Sequence, residues 1–306
     1  MSVVASTDSP AISGFSRLDA GINLGRYTTF RIGGPAEWYG EPADREELAR
    51  LLDWGRSRDL PITVLGGGSN LLISDEGVPG LVLRLTRLKS LSFEEIDVVA
   101  EAGLPLTSLL KRTADRGLSG LEGVVGVPGA VGGALVMNAG TPHGEFGDTV
   151  VEAEVVQPGG LLMMLPRERL GLGYRSSAFK ERGETLVSVR LRLTPDDPDT
   201  IRARMATLDR HRHDTQPLTL PNAGCIWKNP KPHTAGRLVD EAGCKGMGEG
   251  AAEVSTVHAN FIVNRGGATA GDVIRLMRRV RQRVFAATGI RLEPEVQLLG
   301  AFDWES

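Results

Sequence analysis

Cysteine is scarce in this chain of 306 residues, which contains only Cys225 and Cys244. Two cysteines cannot form the disulfide framework of a small secreted domain, and the chain has no paired Cys-x-x-Cys ligands for structural zinc. The His211/His213 pair and His258 also lack clustered carboxylate or cysteine partners, so we predict no metal site. A reducing cytoplasm is the compartment that fits this cysteine usage.

An excess of charge of one sign is also missing, because 35 basic and 38 acidic residues leave a formal net charge of −3. This balance gives no general attraction to nucleic acid or to anionic membrane surfaces. Residues 1–14 contain no Lys or Arg and therefore lack the charged start of a secretory signal. Residues 123–144 have the length of a membrane span but contain seven glycines, which favours turns around a ligand. We predict neither a membrane nor a nucleic-acid partner.

Glycine, by contrast, is abundant, and 13 of the 39 glycines lie in two regions, 66–68 and 117–147. The first, Gly66-Gly67-Gly68-Ser69-Asn70, follows an apolar strand predicted at 61–65, and its amides could bind a pyrophosphate. No Gly-Lys-Ser/Thr follows, and the Rossmann glycine spacing is missing. The second region has glycine at every third position over 117–132, as expected of turns around a ligand or of a compact loop without one. Two such loops indicate an extended dinucleotide.

Further strands are predicted at 81–85, 97–101, 150–156 and 186–193, with a helix near 105–116, so the first two-thirds of the chain is predicted to be α+β. Asp44 is a candidate N-cap for a helix that carries leucines at helical spacing. A Pro- and Asp-rich break at 194–199 predicts a domain boundary. We therefore expect a flexible tail over residues 1–20, a first domain over 21–195 with two subdomains split near 80–97, and a second domain over 196–306.

The last predicted helix begins near Ala270 and combines an apolar stripe with five arginines. Such a charge run is usually the solvated face of an amphipathic helix, and we interpret it in this way. The alternative is a phosphate-binding face, which would suit a non-catalytic nucleotide- or nucleic-acid-binding module. The arginines are Arg275, Arg278, Arg279, Arg281 and Arg283.

Several motifs in order resemble the UDP-N-acetylenolpyruvoylglucosamine reductase family, and the resemblance spans residues 20 to 301. In the first half they are Thr-Thr-Phe-Arg-Ile-Gly-Gly-Pro-Ala at 28–36, Gly-Gly-Gly-Ser-Asn-Leu-Leu at 66–72, and Gly-Val-Pro-Gly-Ala-Val-Gly-Gly-Ala at 126–134 with Asn-Ala-Gly at 138–140. In the second half they are Gly-Tyr-Arg-Ser-Ser-Ala-Phe at 173–179, Asn-Ala-Gly-Cys-Ile-Trp-Lys-Asn-Pro at 222–230, His-Ala-Asn-Phe-Ile-Val-Asn at 258–264 and Leu-Glu-Pro-Glu-Val at 292–296. The chain is similar to the family's shorter subclass.

The resemblance implies a bacterial cytoplasmic flavoenzyme with an FAD-binding domain of the PCMH (vanillyl-alcohol oxidase) type, followed by an α+β substrate-binding domain. It would bind FAD non-covalently and use NADPH to reduce the enolpyruvyl ether of UDP-N-acetylglucosamine to UDP-N-acetylmuramate, a step of peptidoglycan precursor synthesis. The partners expected are small molecules, with no obligatory protein partner. Hydride delivery leaves negative charge beside the substrate carboxylate, so the reaction needs a stabilising cation and a proton donor.

Three residues match the family's catalytic positions. Arg175 would polarise the substrate carboxylate. Glu295 would stabilise the intermediate or hold the proton donor, and Glu293 in the same motif is the alternative candidate for this glutamate. Cys225 stands where the family usually has a serine that gives the proton. A thiol with a reference pKa of about 8.5 is still mostly protonated near neutrality, although Lys228 or Arg175 nearby could lower the pKa and produce a thiolate.

The motif match also implies binding residues. Substrate would be bound by Tyr174, Lys228 and Asn229, the last two at the diphosphate. FAD would be bound by Gly66, Gly67, Gly68, Ser69, Asn70, Gly126, Gly129, Gly132, Gly133, Ala134 and Asn138. Another FAD-dependent oxidoreductase or oxidase of the same superfamily remains an alternative to the reductase.

Overall fold

The computed structural model describes residues 14–304, apart from the side chains at positions 180 and 181. Its first sheet has the strand order β1-β2-β5-β3, in which β1 is antiparallel to β2 and the other neighbours are parallel. Residues 1–13 of the predicted tail lie outside the described part, but β1 begins at Leu18, so the prediction of a tail is wrong for residues 18–20. The elements are β1 (Leu18–Asn23), β2 (Pro35–Gly40), α1 (Arg45–Arg56), β3 (Ile62–Leu65), β4 (Leu71–Ile73) and β5 (Val78–Arg84).

Helix α1 illustrates how local sequence determines this part of the fold. The Asp44 carboxylate accepts a hydrogen bond from the Glu47 amide and caps the helix, as predicted. Leu48, Leu51 and Leu52 are fully buried against the first sheet and its neighbours. The predicted helix start and apolar face are thereby confirmed.

The second sheet is antiparallel and has the order β12-β11-β13-β7-β6. The predicted strands at 97–101 and 150–156 have the bounds of β7 and β11. The elements of this unit are β6 (Leu91–Glu94), β7 (Asp97–Glu101), α2 (Leu106–Ala114), β8 (Leu118–Ser119), α3 (Val131–Val136), β9 (Gly140–Thr141), β10 (Gly144–Glu145), β11 (Val150–Val156), β12 (Leu162–Pro166), α4 (Phe179–Arg182), β13 (Thr185–Arg192) and β14 (Thr194–Pro195).

The rest of the described chain forms a third sheet, of order β15-β18-β17-β16, together with three helices. Val273, Met277, Val280 and Val284 are buried along α7, which confirms the predicted apolar stripe. The elements are α5 (Pro198–Thr215), β15 (Asn222–Cys225), α6 (Ala235–Glu241), β16 (Gly248–Glu249), β17 (Ala252–Val254), β18 (Phe261–Asn264), α7 (Ala270–Thr288) and β19 (Gln297–Leu299). This mixture of helices and largely antiparallel sheets confirms the α+β class, whereas the domain limits stay a prediction.

Arg275, Arg278 and Arg279 of α7 form ion pairs with carboxylates of their own chain. Arg275 forms ion pairs with Glu249 and Asp272, and Arg279 also pairs with Glu249. These contacts favour the interpretation of this surface as a solvated, ion-paired helix face.

The two halves of the chain share a strand pair and part of a core. Strand β19 lies parallel to β4, with Gln297 opposite Leu71. Phe30 and Leu72 of the first half are fully buried within the cluster that packs around α6 and α7. Over residues 14–304, no helix has both the length and the apolar character needed to cross a membrane.

Candidate functional site

Backbone pairing places Glu295 beside Cys225. Cys225 is the last residue of β15, and the amide of Glu295 donates to the carbonyl of Ile226 at 2.8 Å. The Lys228 amide donates to the Glu293 carbonyl at 2.9 Å, which continues the same pairing. The Glu293 side chain is exposed, while that of Glu295 is 12% exposed and faces inward to an arginine. This arrangement favours Glu295 over Glu293 as the functional acid.

Arg175 reaches Glu295 from the other half of the chain. Its Nε donates to Glu295 Oε1 at 2.6 Å, and its Nη2 donates to the carbonyl of Gly140 at 2.8 Å. The backbone of Arg175 is in the left-handed region, with φ of 53°, within a tight turn between Gly173 and Ser176. Such strain in a non-glycine residue is often found at functional sites. The turn thereby places the Arg175 side chain against Glu295 and Gly140, which are far from it in the sequence.

The surroundings of Cys225 keep its thiol protonated. Burial, followed by the negative charge of Glu295, raises the pKa of this thiol to about 12, although Arg175 and Arg212 act in the opposite direction. The hypothesis that Arg175 or Lys228 lowers the pKa of this thiol and produces a thiolate is therefore wrong, because the pKa is raised. The reason is spatial, because desolvation and Glu295 outweigh the cations, and the Lys228 ammonium pairs with Glu293 instead.

The raised pKa predicts a poorly reactive thiol. Because alkylation proceeds through the thiolate, iodoacetamide at pH 8 should modify Cys225 at least about 100-fold more slowly than a free cysteine, whose pKa is about 8.5. Intact-mass measurements between pH 7 and 10 would follow the rate. Cys225→Ser is the control for background modification of the buried Cys244. A rate that levels off near pH 9 would contradict the assignment.

Arg212 is a member of this site that the sequence did not reveal. It lies on α5, and its Nε donates to Gln216 Oε1 at 2.8 Å. Its Nη1 is buried with no hydrogen-bond partner in the described part of the chain, and burial lowers the pKa of the guanidinium. A Cβ added to Gly126 would lie 2.9 Å from Arg212 Cδ, so the side chain runs along the second glycine-rich loop toward Cys225. Nothing in the sequence of this arginine-rich helix distinguishes Arg212 from Arg210.

The two glycine-rich loops touch each other. A Cβ added to Gly67 would lie 2.6 Å from Gly129 Cα, and the Ser69 hydroxyl donates to the Pro128 carbonyl at 2.8 Å. Gly68 has φ of +65°, and a Cβ there would lie only 2.0 Å from the Tyr27 carbonyl oxygen. Glycine is therefore required at Gly67 for the two loops to approach each other, and at Gly68 for the first loop to pack against the main chain at Tyr27.

On one side, these loops leave an open cradle lined with amides. Within residues 14–304, the N–H groups of Gly66, Gly67, Gly68, Ser69 and Gly133 donate no hydrogen bond. A Cβ on Gly66 would come no closer than 3.9 Å to another atom, the Gly133 nitrogen, and one on Gly133 would meet nothing within 4 Å. Successive free amides around an open space are suited to binding an anionic group such as a pyrophosphate.

The other predicted cofactor residues differ in how their polar groups are used. Gly126 and Gly129 lie on the second loop with φ of +71° and +127°. The Gly132 amide donates to the Ala102 carbonyl. Asn138 is buried, and its side chain bonds to main-chain groups and to Glu145. The Ala134 amide donates to the Ala130 carbonyl within α3, so the polar groups of these last three residues support the loop, and their contact with a cofactor stays a prediction.

The predicted substrate residues lie together at the entrance of the site. Tyr174 is 41% exposed, and its hydroxyl accepts a hydrogen bond from the Asn229 amide at 3.4 Å. The Asn229 Oδ1 accepts from the Ala235 amide at the start of α6, which leaves its Nδ2 for a ligand. The Lys228 ammonium is partly exposed, 3.4 Å from Glu293.

Comparison with known proteins gives consistent matches over nearly the whole chain. The FAD binding domain family matches residues 36–165, and the C-terminal domain of UDP-N-acetylenolpyruvoylglucosamine reductase matches residues 216–299. The UDP-N-acetylenolpyruvoylglucosamine reductase of Gloeobacter violaceus is 45% identical over 287 residues, which are 93% of this chain and 97% of that protein. The corresponding protein of Moorella thermoacetica is 45% identical over 90% of this chain and 91% of its own. The crystal structure of UDP-N-acetylenolpyruvylglucosamine reductase from Thermus caldophilus has a TM-score of 0.81 at 40% identity, covering 93% of this chain and 99% of that one.

Proposed function

The chain belongs to the UDP-N-acetylenolpyruvoylglucosamine reductase family, and we propose from this that it reduces the enolpyruvyl group of UDP-N-acetylglucosamine enolpyruvate to give UDP-N-acetylmuramate. The observation that carries the proposal is the contact of 2.6 Å between Arg175 and Glu295, placed beside the protonated thiol of Cys225. Arg175 supplies the cation and Cys225 the proton that the reaction requires, and the Glu295 carboxylate holds Arg175 in place.

FAD is the cofactor, and the amide-lined cradle fits its pyrophosphate. The residues that would hold that group are Gly66, Gly67, Gly68 and Ser69 on the first loop and Gly133 opposite them. When bound, FAD would supply the transfer of hydride from NADPH to the enolpyruvyl carbon. The protein contributes orientation, electrostatics and proton transfer.

Arg175 and Cys225 have different roles in the reaction, because one stabilises negative charge and the other donates a proton. The guanidinium of Arg175 is planar and permanently charged, so it pairs with the substrate carboxylate and stabilises charge that develops beside it. The Cys225 thiol then gives its proton to the adjacent carbon, a step for which its raised pKa keeps it in the acid form. Arg212 adds positive charge on the same side and stabilises the thiolate left behind, which opposes the effect of burial.

Glu295 holds these groups in place. Its carboxylate fixes Arg175 through Nε, and its negative charge raises the pKa of Cys225 and so favours the protonated thiol. Lys228 and Asn229 at the entrance bind the substrate diphosphate through an ammonium and an amide, and Tyr174 contacts the sugar nucleotide. We propose these roles from the positions of the side chains and the motifs that they share with the family.

The open cradle predicts a selective effect of Gly133→Ala. The added methyl group meets no protein atom within 4 Å, so stability should be unchanged or rise by up to about 1 kcal/mol. The methyl group should clash with the bound cofactor and weaken the free energy of FAD binding by about 1–3 kcal/mol. The FAD affinity would then be about 10- to 100-fold lower. Flavin fluorescence during titration of the FAD-free protein measures the affinity.

The matched control is Gly159→Ala, at a glycine between β11 and β12 where a Cβ also meets nothing within 4 Å. That variant should bind FAD like the parent protein. An unchanged FAD affinity in Gly133→Ala would place the cofactor elsewhere.

The proposed activity is tested by stopped-flow absorbance of the purified yellow protein. Flavin should be reduced rapidly by NADPH and reoxidised by the enolpyruvyl nucleotide faster than by oxygen. Reoxidation by oxygen alone would instead indicate an oxidase of the same superfamily. Protein that shows no flavin spectrum after addition of FAD would support the binding module based on α7.

We also propose that the activity takes place in the bacterial cytoplasm, without an obligatory protein partner. The substrates inferred are small molecules, and the site is assembled within one chain from the turn at Arg175, the end of β15 and the segment before β19. We further propose the FAD-binding part over 21–195 and the substrate-binding part over 196–306 as its functional units.

A further inference from the structure

Asn70 connects the first glycine-rich loop to the main chain of Glu295. Its Nδ2 donates to the Glu295 carbonyl at 3.2 Å, and its own carbonyl accepts from the Gln297 amide at 3.0 Å. The Gln297 Nε2 also donates to the Glu295 carbonyl, at 2.9 Å. Two side-chain amides therefore hold the peptide of Glu295, and one of them belongs to the loop predicted to bind FAD.

These hydrogen bonds lie where the two halves of the chain join. Asn70 immediately precedes β4, and the parallel pairing of β4 with β19 begins with Leu71 opposite Gln297. Asn70 thus sets the position of the segment that leads into β19. On the other side of the same residue, the Glu295 carboxylate contacts Arg175 at 2.6 Å. Fixing the main chain of Glu295 also fixes the point from which its carboxylate holds Arg175.

Within the first loop, main chain and side chain have different tasks. The amides of Gly66, Gly67, Gly68 and Ser69 donate no hydrogen bond in the part of the chain that the structure describes, and so can bind an anion. The side-chain amide of Asn70 instead donates to the Glu295 carbonyl. The loop can therefore bind a pyrophosphate and position Glu295 at the same time.

We propose that Asn70 is a positioning residue for Glu295. Its side chain links the first glycine-rich loop to the main chain of Glu295 and does not bind FAD. This inference rests on the proposed function for the role of Glu295. Displacement of a reacting group by about 1 Å can slow a reaction about 100-fold. Loss of the Asn70 amide should therefore affect the step that uses Glu295 and Arg175 and leave FAD binding in place.

The test compares Asn70→Ala and Asn70→Asp with Thr29→Val. The alanine variant removes the donor, whereas the aspartate places a carboxylate against the Glu295 carbonyl and should have the larger effect. Thr29→Val is the matched control, because the Thr29 hydroxyl also bridges the two halves, donating to the Asn222 carbonyl at 2.7 Å without contact to Glu295. Three readouts are needed: FAD affinity, the rates of the two half-reactions, and amide hydrogen exchange of residues 295–299.

In Asn70→Ala, we expect FAD affinity and flavin reduction by NADPH to stay within about threefold of the parent protein. Reoxidation by the enolpyruvyl nucleotide should slow about 10- to 100-fold. Hydrogen exchange at residues 295–299 should accelerate even in FAD-free protein. Thr29→Val should leave both reoxidation and this exchange unchanged.

The inference is overturned if Asn70→Ala weakens FAD binding more than tenfold while reoxidation at saturating FAD keeps its rate. It is also overturned if hydrogen exchange at residues 295–299 is the same as in the parent. Failure of the proposed function has a different signature, because the parent protein itself would then not be reoxidised by the enolpyruvyl nucleotide. FAD titration and hydrogen exchange report on Asn70 in either case.

Discussion

Cys225→Ala should keep its flavin and its reduction by NADPH but lose about 10²- to 10⁴-fold in reoxidation by the enolpyruvyl nucleotide. That range is typical for loss of a positioned general acid. The half-buried thiol of Cys225 is the proton donor beside Arg175 and Glu295, and alanine offers no proton. Stopped-flow absorbance separates the two half-reactions in one preparation.

Cys225→Ser should stay active, because a hydroxyl is protonated over the whole accessible pH range and has nearly the same size. The pH profile of reoxidation provides a second check. Since the pKa of the Cys225 thiol is raised to about 12, its contribution should be constant from pH 6 to 10 and decline only as the pH approaches 12.

Cys244→Ala serves as the control for replacement of a thiol in general. Cys244 is fully buried in the core around α6 and α7, so this variant should lose stability but not reoxidation rate. An alanine variant at Cys225 with the parent rate would remove this residue from the mechanism.

Arg175→Ala should reduce the rate of reoxidation about 10²- to 10³-fold and lower the free energy of unfolding by about 3 kcal/mol. The first effect follows from loss of the cation that faces developing negative charge. The second follows because Glu295 loses a counter-charge 2.6 Å away in a largely buried pair. Stopped-flow kinetics and urea denaturation measure the two quantities separately.

Arg175→Lys distinguishes geometry from charge. Lysine keeps the positive charge but cannot reach both Glu295 and the Gly140 carbonyl with a planar fork, so its stability should recover more than its rate. Alanine and lysine adopt the left-handed φ of 53° with similar difficulty, so the difference between the variants reports on the side chain. Equal reoxidation rates in lysine and parent proteins would show that charge alone suffices.

Elements determined by local sequence were predictable. The Asp44 cap, the leucines of α1 and the valine-rich strand β11 contain their own signals of start, period and length. The short strand β15 was not predictable in the same way, because its hydrogen bonds come from β18, which follows a helix and two other strands later in the chain.

For the site, motifs identified the residues but could not give their electrostatics. Lys228 is three positions from Cys225 in sequence, yet its charge is directed to Glu293. Glu295 is 70 positions away and yet raises the pKa of the thiol. Arg212 was missed for the same reason, because only the packed structure turns this arginine of α5 toward the second glycine-rich loop.

The parallel pair formed by β4 and β19 has a consequence for folding. Leu71 and Gln297 lie opposite each other although they are 226 positions apart in the chain. Because so long a loop must be closed before the pair can form, contacts of this kind slow folding. Docking of the segment that carries Glu295 should therefore be a late step of folding, so that Arg175 finds its carboxylate only after both halves of the chain have formed their own structure.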